Sequence, residues 1–299
     1  MTNTVFIHTN EKQLVGAIVG RRSLKRNSAN PDAFDVKIVS QEGFPFFQEF
    51  DGKKFLRGGK WRVWENSDLQ SFTPVRFTPP ELMGYQGRAV VIDPDVFAVG
   101  DVSELFDRDM QGKALFAKPR PGHKGLQDYL ASSVMLMDCA KLPHWNVKKQ
   151  FAQMFSGELD YETWIQLRNE PEGSIGHLES FWNDFDRLEP DTKLIHNTKR
   201  RTQPWKSGLP IDYMNRLPNF LRFLPISGYR RRGTYLQHPD SRQEQFFFAL
   251  VKECVEAGEI SDELLKRAME KNHVRHDAAE MIDRAPPVDQ VLTEIRATV

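Results

Sequence analysis

Only two cysteines, Cys139 and Cys254, occur among 299 residues. They stand far apart and match no zinc or redox spacing, which excludes a disulfide framework and points to reduced thiols. Charge of one sign is not in excess either: Lys plus Arg and Asp plus Glu number 41 each. No global field therefore draws the chain to nucleic acid or to an acidic membrane, and an anionic substrate has to be held by a local cluster. Long apolar runs are missing, since none approaches the roughly 18 residues that cross a bilayer. The first residues show no basic stretch followed by an apolar one. Cytoplasm is the expected setting, with peripheral membrane contact left open. Internal repeats and low-complexity segments are absent too. What is there, at 39% hydrophobic residues, is an ordinary globular chain able to bury a sizeable core.

The most informative stretch is Gly87-Arg88-Ala89-Val90-Val91-Ile92-Asp93-Pro94-Asp95. Ala89 to Ile92 is a continuous apolar run of the kind a strand covered on both faces shows. It stops at two carboxylates separated by a proline. In open α/β sheets ligands collect beyond the carboxyl ends of strands, so Asp93 and Asp95 placed there can hold a divalent cation against a phosphate. An Asx-type turn has the same composition. Arg76, shortly before, is either a solvated charge or a partner for a diphosphate. His196, followed by Lys199, Arg200 and Arg201, can be a metal ligand beside a phosphate-neutralising run, or a solvated basic loop.

Around these, the chain reads as alternating strands and helices. Val5 to Asn10 is an apolar strand, and Glu11 to Arg26 a helix in which Leu14, Ala17 and Ile18 recur at helical spacing. Asn10 and Gln13 stand in capping-box positions. This βα junction offers backbone N–H groups to an anion or nucleotide, or is a plain structural turn. Asp35 to Ser40 gives a second strand and Ala131 to Asp138 another, with Met135 and Met137 as core filler. Phe44 to Pro80 is rich in Gly, Pro, Phe and Trp and has no clean period. His177 and Glu179 would share one strand face, as a structural pair or as polar site residues. Arg230 to Arg232 reads as an exposed charge run, or as a place where an anionic acceptor could dock. The last third is helical, with Ser241 to Glu244 as a capping box, Gly258 as a stop and Ser261 as a further cap.

With these residues laid out, the chain resembles the family 8 type of nucleotide-sugar glycosyltransferases, which includes glycogenin and the bacterial lipopolysaccharide galactosyltransferases. The likeness runs from about Val5 to Lys206. It implies an α/β fold: a single GT-A-type (Rossmann-like) mixed, mainly parallel sheet flanked by helices, with a helical C-terminal extension. Residues 1–210 would form the nucleotide-sugar-binding catalytic domain, and residues 211–299 the extension, where the acceptor could bind. The resemblance places Thr9, Asn10 and Gln13 at the nucleotide with Ile7 alongside. Arg76 matches the basic residue ahead of the DxD. Asp93 and Asp95 match the metal-binding DxD, and His196 with Pro204-Trp205 is similar to the HxxGxxKPW motif whose His is the third ligand of manganese. Between His196 and Pro204 the spacing is one residue longer than in that motif; Lys199 replaces its Gly and Gln203 its Lys. The phosphate contact then falls to Lys206, Lys199 or Arg200. Ala131-Ser132-Ser133-Val134 replaces the family's Asn-(Ala/Ser)-Gly-Val, and no Asp-Gln pair stands near Tyr161 to Gln166.

The implied activity is metal-dependent transfer of a sugar from a UDP-sugar, using Mn²⁺ or Mg²⁺, with retention of configuration. The pattern names no nucleophile or base; Asp128, Glu162 and Glu179 are the carboxylate candidates. The acceptor could be a lipid-linked sugar, a small molecule such as a polyol, another glycan or a protein. Two rivals stand beside this. A nucleotidyltransferase on a similar sheet would carry a Gly-rich phosphate loop after the first strand, and Ile7 to Gln13 has none. A catalytically silent nucleotide-binding protein is compatible with the lost Asn and Asp-Gln positions.

Overall fold

The computed structural model describes residues 3–122, 127–215, 229–230 and 233–297. In chain order it begins with strand β1 (Asn3–Thr9), helix α1 (Leu14–Arg26) and strand β2 (Phe34–Ser40). A hairpin of β3 (Lys54–Arg57) and β4 (Lys60–Val63) precedes α2 (Pro79–Leu82), β5 (Arg88–Ile92), β6 (Val96–Ala98) and α3 (Ser103–Phe106). Then come β7 (Leu115–Arg120), β8 (Tyr129–Asp138), α4 (Val147–Ser156), α5 (Tyr161–Ile165), β9 (Ile175–His177), β10 (Asp184–Phe185) and β11 (Leu194–His196). A two-residue ladder of β12 (Met214–Asn215) and β13 (Tyr229–Arg230) leads to helices α6 (Ser241–Glu256), α7 (Asp262–Glu270), α8 (Ala278–Arg284) and α9 (Val288–Ala297).

Six of these strands form one sheet in the order β2-β1-β5-β8-β7-β9. The β1–β2, β1–β5 and β7–β9 pairs are parallel, and β8 runs antiparallel to both its neighbours. The sheet is thus mixed and mainly parallel, with helices against it, as the sequence leads one to expect. A smaller sheet, β10-β11-β6, stands beside it.

The unbroken hydrophobicity of β1 and β5 has a direct cause. Successive side chains alternate between two cores, so neither face can be polar. Val5, Ile7, Val90 and Ile92 meet Ala17 and Leu24 of α1 on one side. Phe6, Ala89 and Val91 meet an aromatic core on the other. That second core accounts for the aperiodic stretch from Phe44 to Pro80, whose Phe46, Phe47, Phe55, Trp64 and Phe77 join Phe151 of α4 and Trp164 of α5. The opposite side of α1, through Val15, Ile18 and Val19, packs on Phe246, Phe247 and Leu250 of α6 and on the helices beyond. Arg22 and Arg26 of α1 add ion pairs to Glu253 of α6 at 3.2 and 2.8 Å.

Two expected helix starts differ in detail. Asn10 makes no capping bond, because a 3-10 turn over Glu11–Gln13 intervenes and the α-helix proper begins at Leu14. Helix α6 is capped by Asp240, one residue ahead of Ser241, and Glu244 pairs with Arg275 at 2.7 Å instead of closing a capping box. Ser261 caps α7 as expected, accepting from the Leu264 N–H, and Gly258 follows α6 at φ 70°. Of the basic run, Arg231 and Arg232 lie outside the described residues, as does the side chain of Arg230.

Helix α1 approaches the Asp93-Pro94-Asp95 turn closely because it carries Gly16 and Gly20 on the facing side. A Cβ on Gly16 would stand 2.5 Å from the Pro94 carbonyl oxygen, and one on Gly20 would stand 3.3 Å from that of Val96. One turn on, Ser23 Oγ accepts from the Ala98 N–H at 2.8 Å. The backbone atom in the way of Gly16 cannot swing aside as a side chain could. Gly16→Ala should therefore lower stability by about 1–3 kcal/mol through overpacking, read as a fall in urea midpoint. Gly43→Ala, where nothing lies within 4 Å, should stay within about 0.5 kcal/mol of the parent.

Candidate functional site

The Asp93 to Asp95 turn closes tightly at the C-terminal end of β5. The Asp93 N–H donates to the Ser133 carbonyl at 3.0 Å, and the Val96 N–H donates back to Asp93 O at 3.1 Å. Strand β6 leaves this turn and pairs antiparallel with β11, in a register that sets His196 opposite Val96. That pairing brings an imidazole about a hundred residues away in sequence to the carboxylates. His196 Nε2 stands 3.2 Å from Asp95 Oδ1 and 4.0 Å from Asp93 Oδ2. One ligand atom from each of the three residues lies within 4.8 Å of the others.

Each member is held by a further layer of polar groups. His196 Nδ1 is 2.8 Å from Asn183 Oδ1, and Asn183 Nδ2 donates to Ser133 Oγ at 2.9 Å. With the amide fixed by the serine, its oxygen faces the ring and selects the tautomer protonated at Nδ1, which leaves the Nε2 lone pair for the site. Gln203 Nε2 donates to Asp95 Oδ2 at 3.2 Å. Arg76 Nη2 donates to both Asp93 oxygens at 2.7 and 2.8 Å, and its Nη1 to Ser132 Oγ at 2.7 Å. His8 Nε2 lies 3.0 Å from Asp93 Oδ1, poorly aligned for a hydrogen bond.

The electrostatics follow from burial opposed by these neighbours. Burial alone would raise the Asp93 carboxyl, but the Arg76 guanidinium beside it holds it well below the usual carboxylate range. Burial depresses His8 below the ordinary imidazole value against the opposing pull of Asp93, so it sits there neutral. Burial works the same way on His196, but Asp95 and Asp93 outweigh it and raise that ring. An ionised carboxylate pair with an imidazole is a donor set suited to Mn²⁺, and Mg²⁺ is compatible with its oxygens. The spacings fit as well: neighbouring ligands on an octahedral cation with bonds of about 2.1 Å lie roughly 3 Å apart, and opposite ones roughly 4.2 Å apart. Asp93, Asp95 and Arg76 together leave one negative charge for the ion to meet.

Asp93, Asp95 and His196 line a cavity of about 520 Å³ at the C-terminal end of β5. Gln13, Arg76, Glu162, Lys199 and Arg200 also line it. Thr9 and Asn10 are buried at the end of β1; Thr9 Oγ1 donates to the Asn10 carbonyl, and Asn10 Nδ2 to the Leu69 carbonyl at 3.4 Å. The Asn10 Oδ1, Gln13 Oε1 and Gln203 Oε1 atoms are buried and accept no hydrogen bond among the described residues.

Four sequence-based expectations fall elsewhere. Ile7 is fully buried with its side chain in the core against α1, since position parity along β1 turns it away from the opposite face. Lys206 is also fully buried: Nζ donates to Asp212 Oδ2 at 3.0 Å and to the Asn272 carbonyl at 2.8 Å, so it ties the chain internally. Lys199 and Arg200 are the basic residues of that run that face the cavity. Asp128 is exposed and accepts from the Gly122 N–H at 2.9 Å, away from the cavity lining. Glu179 is exposed and paired with Arg108 at a different surface, and shares no strand face with His177 because β9 ends there. Glu162 does reach the cavity, paired with Arg57 at 3.3 Å. His8 and Asn183 escaped the sequence reading. His8 sits within an apolar strand, and only its parity opposite Ile7 could have signalled it.

No family model and no curated protein matches the sequence. Among solved structures the chain is similar to glycosyltransferases. The galactosyltransferase LgtC in complex with donor and acceptor sugar analogues aligns at 15% identity over 68% of this chain and 89% of its own, with a TM-score of 0.46. The apo form of the glycosyltransferase GlyE of Streptococcus pneumoniae aligns at 15% identity over 70% of this chain and 57% of its own, with a TM-score of 0.49. Mouse xyloside xylosyltransferase 1, in its apo form, aligns at 13% identity over 67% of this chain and 99% of its own, with a TM-score of 0.44. Likeness at this level concerns the course of the chain, and the chemistry has to be read from the side chains.

Two outcomes follow from the geometry. Asn183→Ala should weaken Mn²⁺ binding, followed by calorimetry, by about 10–100-fold, because the ring of His196 loses its orienting partner. Arg76→Met should cost about 3–5 kcal/mol in a urea melt, because it strips a buried carboxylate of its main counter-charge.

Proposed function

We propose that this chain is a glycosyltransferase that moves a sugar from a UDP-sugar donor to an acceptor, with a divalent cation held by Asp93, Asp95 and His196. The observation that carries the reading is the convergence of those three side chains at a sheet edge, on the wall of a cavity large enough for a nucleotide sugar. The bound cation would supply Lewis-acid stabilisation of the departing diphosphate. Lys199 and Arg200 would add fixed positive charge where that negative charge grows, in place of the buried Lys206. The nucleotide would lie at the end of β1, where the unpartnered oxygens of Asn10 and Gln13 can accept from its N–H and O–H groups. Thr9 would support that end through its hydrogen bond to the Asn10 carbonyl. Arg76 would act from behind, keeping Asp93 ionised and aimed.

The stereochemical outcome we infer, from the likeness in sequence, is retention. Of the carboxylates Asp128, Glu162 and Glu179, Glu162 is the one that lines the cavity, and it is the candidate to act on the donor in this reading. The helical segment from residue 211 onward is a source of acceptor contacts in this reading, and a cytoplasmic setting belongs to it. No helix of the described residues is long and apolar enough to cross a membrane. Both cysteines are buried and unpaired, and burial pushes their thiols up to about 12.

The reading is tested by incubation with UDP-glucose, UDP-galactose and their N-acetyl forms in Mn²⁺, following released UDP. At least one donor should turn over, and Asp95→Asn should reduce that rate by about 100-fold or more. Binding of UDP without turnover of any donor would favour a catalytically silent nucleotide-binding protein. Release of pyrophosphate from a nucleoside triphosphate would favour a nucleotidyltransferase.

A further inference from the structure

The cavity carries more positive charge than a metal and a donor diphosphate require. Arg57, Arg76, Arg120, Lys199 and Arg200 line it, against the carboxylates Asp93, Asp95 and Glu162. A divalent cation and the two charges of a nucleotide-sugar diphosphate cancel each other, so two positive charges remain in excess when the donor is bound. Arg76 is matched by Asp93 and Arg57 by Glu162. Arg120 has no carboxylate partner among the described residues.

Its placement is specific. Arg120 ends β7, two strands across from β5 and on the side of the sheet away from β1. Its guanidinium carbon lies 4.7 Å from the centre of the Phe185 ring and 5.8 Å from that of Tyr129. The Phe185 ring also meets Lys118, whose Nζ lies 4.3 Å from its centre, and His196, at 5.5 Å between ring centres. Arg120 and the His196 imidazole thus share Phe185 as a neighbour and line the same cavity. Two rings restrict the guanidinium, so less of its freedom is lost when its planar fork meets a carboxylate or phosphate. The surroundings add to the local field: Lys118 of the same strand donates to the Asn183 carbonyl at 2.7 Å, and burial, Arg120 and Arg187 hold its ammonium below the ordinary lysine value despite Asp184.

We propose that the acceptor is anionic, a saccharide or polyol bearing a phosphate or carboxylate group, and that Arg120 recognises that group. The inference rests on the donor reading above. It places the nucleotide on the β1 side of the metal site and the acceptor's charged group on the β7 side, with the transferred sugar between them. Charge-assisted bidentate pairing supplies the selectivity, because a neutral acceptor leaves the excess cations of the cavity uncompensated.

The test is calorimetry on the full chain. A first titration with UDP in Mn²⁺ checks the donor reading by itself, and absence of binding there would overturn that reading and this one together. The UDP- and Mn²⁺-loaded protein is then titrated with glucose, galactose and mannose and with the 6-phosphate of each. At least one phosphate should bind tenfold or more tightly than its parent sugar, and should weaken as salt is raised. Arg120→Gln should remove most of that preference and Arg120→Lys should restore part of it, with UDP affinity changed less than twofold. Equal binding of each sugar and its phosphate would overturn the proposal while leaving the donor reading intact. An equal loss of UDP affinity in Arg120→Gln would overturn it too, by assigning the guanidinium to the donor.

Discussion

Much of the molecule is arranged around one carboxylate, that of Asp93, kept ionised where burial alone would favour its neutral form. It directly follows the apolar run Ala89 to Ile92 that ends β5, and it is tolerable there only because Arg76 meets both of its oxygens. Arg76 in turn is fixed by Ser132 on β8, so three neighbouring parts of the chain share the electrostatic load. A carboxylate answered from one side by a guanidinium keeps lone pairs on the other. That asymmetry turns a structural ion pair into a place where a cation can be accepted.

The second requirement is that distant segments arrive at this carboxylate in register. The short β6 strand, emerging from the Asp93 to Asp95 turn, is a template on which β11 lays His196. Parallel pairing of β10 with β11 sets Phe185 beside His196 and brings the preceding Asn183 to the imidazole. The glycines of α1 complete the arrangement from behind, since any side chain at Gly16 would push the turn out of place. The site is therefore rigid for reasons of packing, independent of any ligand. Rigid placement of this kind is what lets a few charges act without reorganising.

The parts of this that were legible in the sequence are those written as local pattern. The strands β1 and β5 declared themselves because both faces are buried, and Asp93 and Asp95 stood out by their place directly after such a run, although an Asx-type turn has the same composition. His196 was legible only as a residue type beside a basic run; its pairing partner is a hundred positions away. With Gln203 in place of the family's Lys, the sequence offered Lys206, Lys199 and Arg200 and gave no way to choose between them. Lys206, at the end of the 3-10 turn Pro204–Lys206, is turned inward, where Asp212 and a backbone carbonyl take its charge. His8 was hidden in plain alternation, a polar residue in a strand where position parity alone decides between core and site. Gly16 and Gly20 carried no turn signal, because their use is close approach and not backbone conformation.

The C-terminal helices bear on the site through a small number of polar contacts, and this limits how independent they can be. Gln243 of α6 accepts from Asn197 Nδ2 at 2.6 Å and donates to the Asp186 carbonyl at 3.1 Å. Asn197 directly follows His196, and its N–H donates to the Asp95 carbonyl. Arg275 bridges further, its N–H meeting the Trp205 carbonyl while its side chain holds Glu244. Trp205 and Phe247 then close the apolar layer beneath. Removing these helices would thus expose the apolar side of α1 and release the backbone on both sides of His196. Any role they have toward an acceptor is superimposed on a prior one, that of a wall without which the imidazole would not be held against the carboxylates.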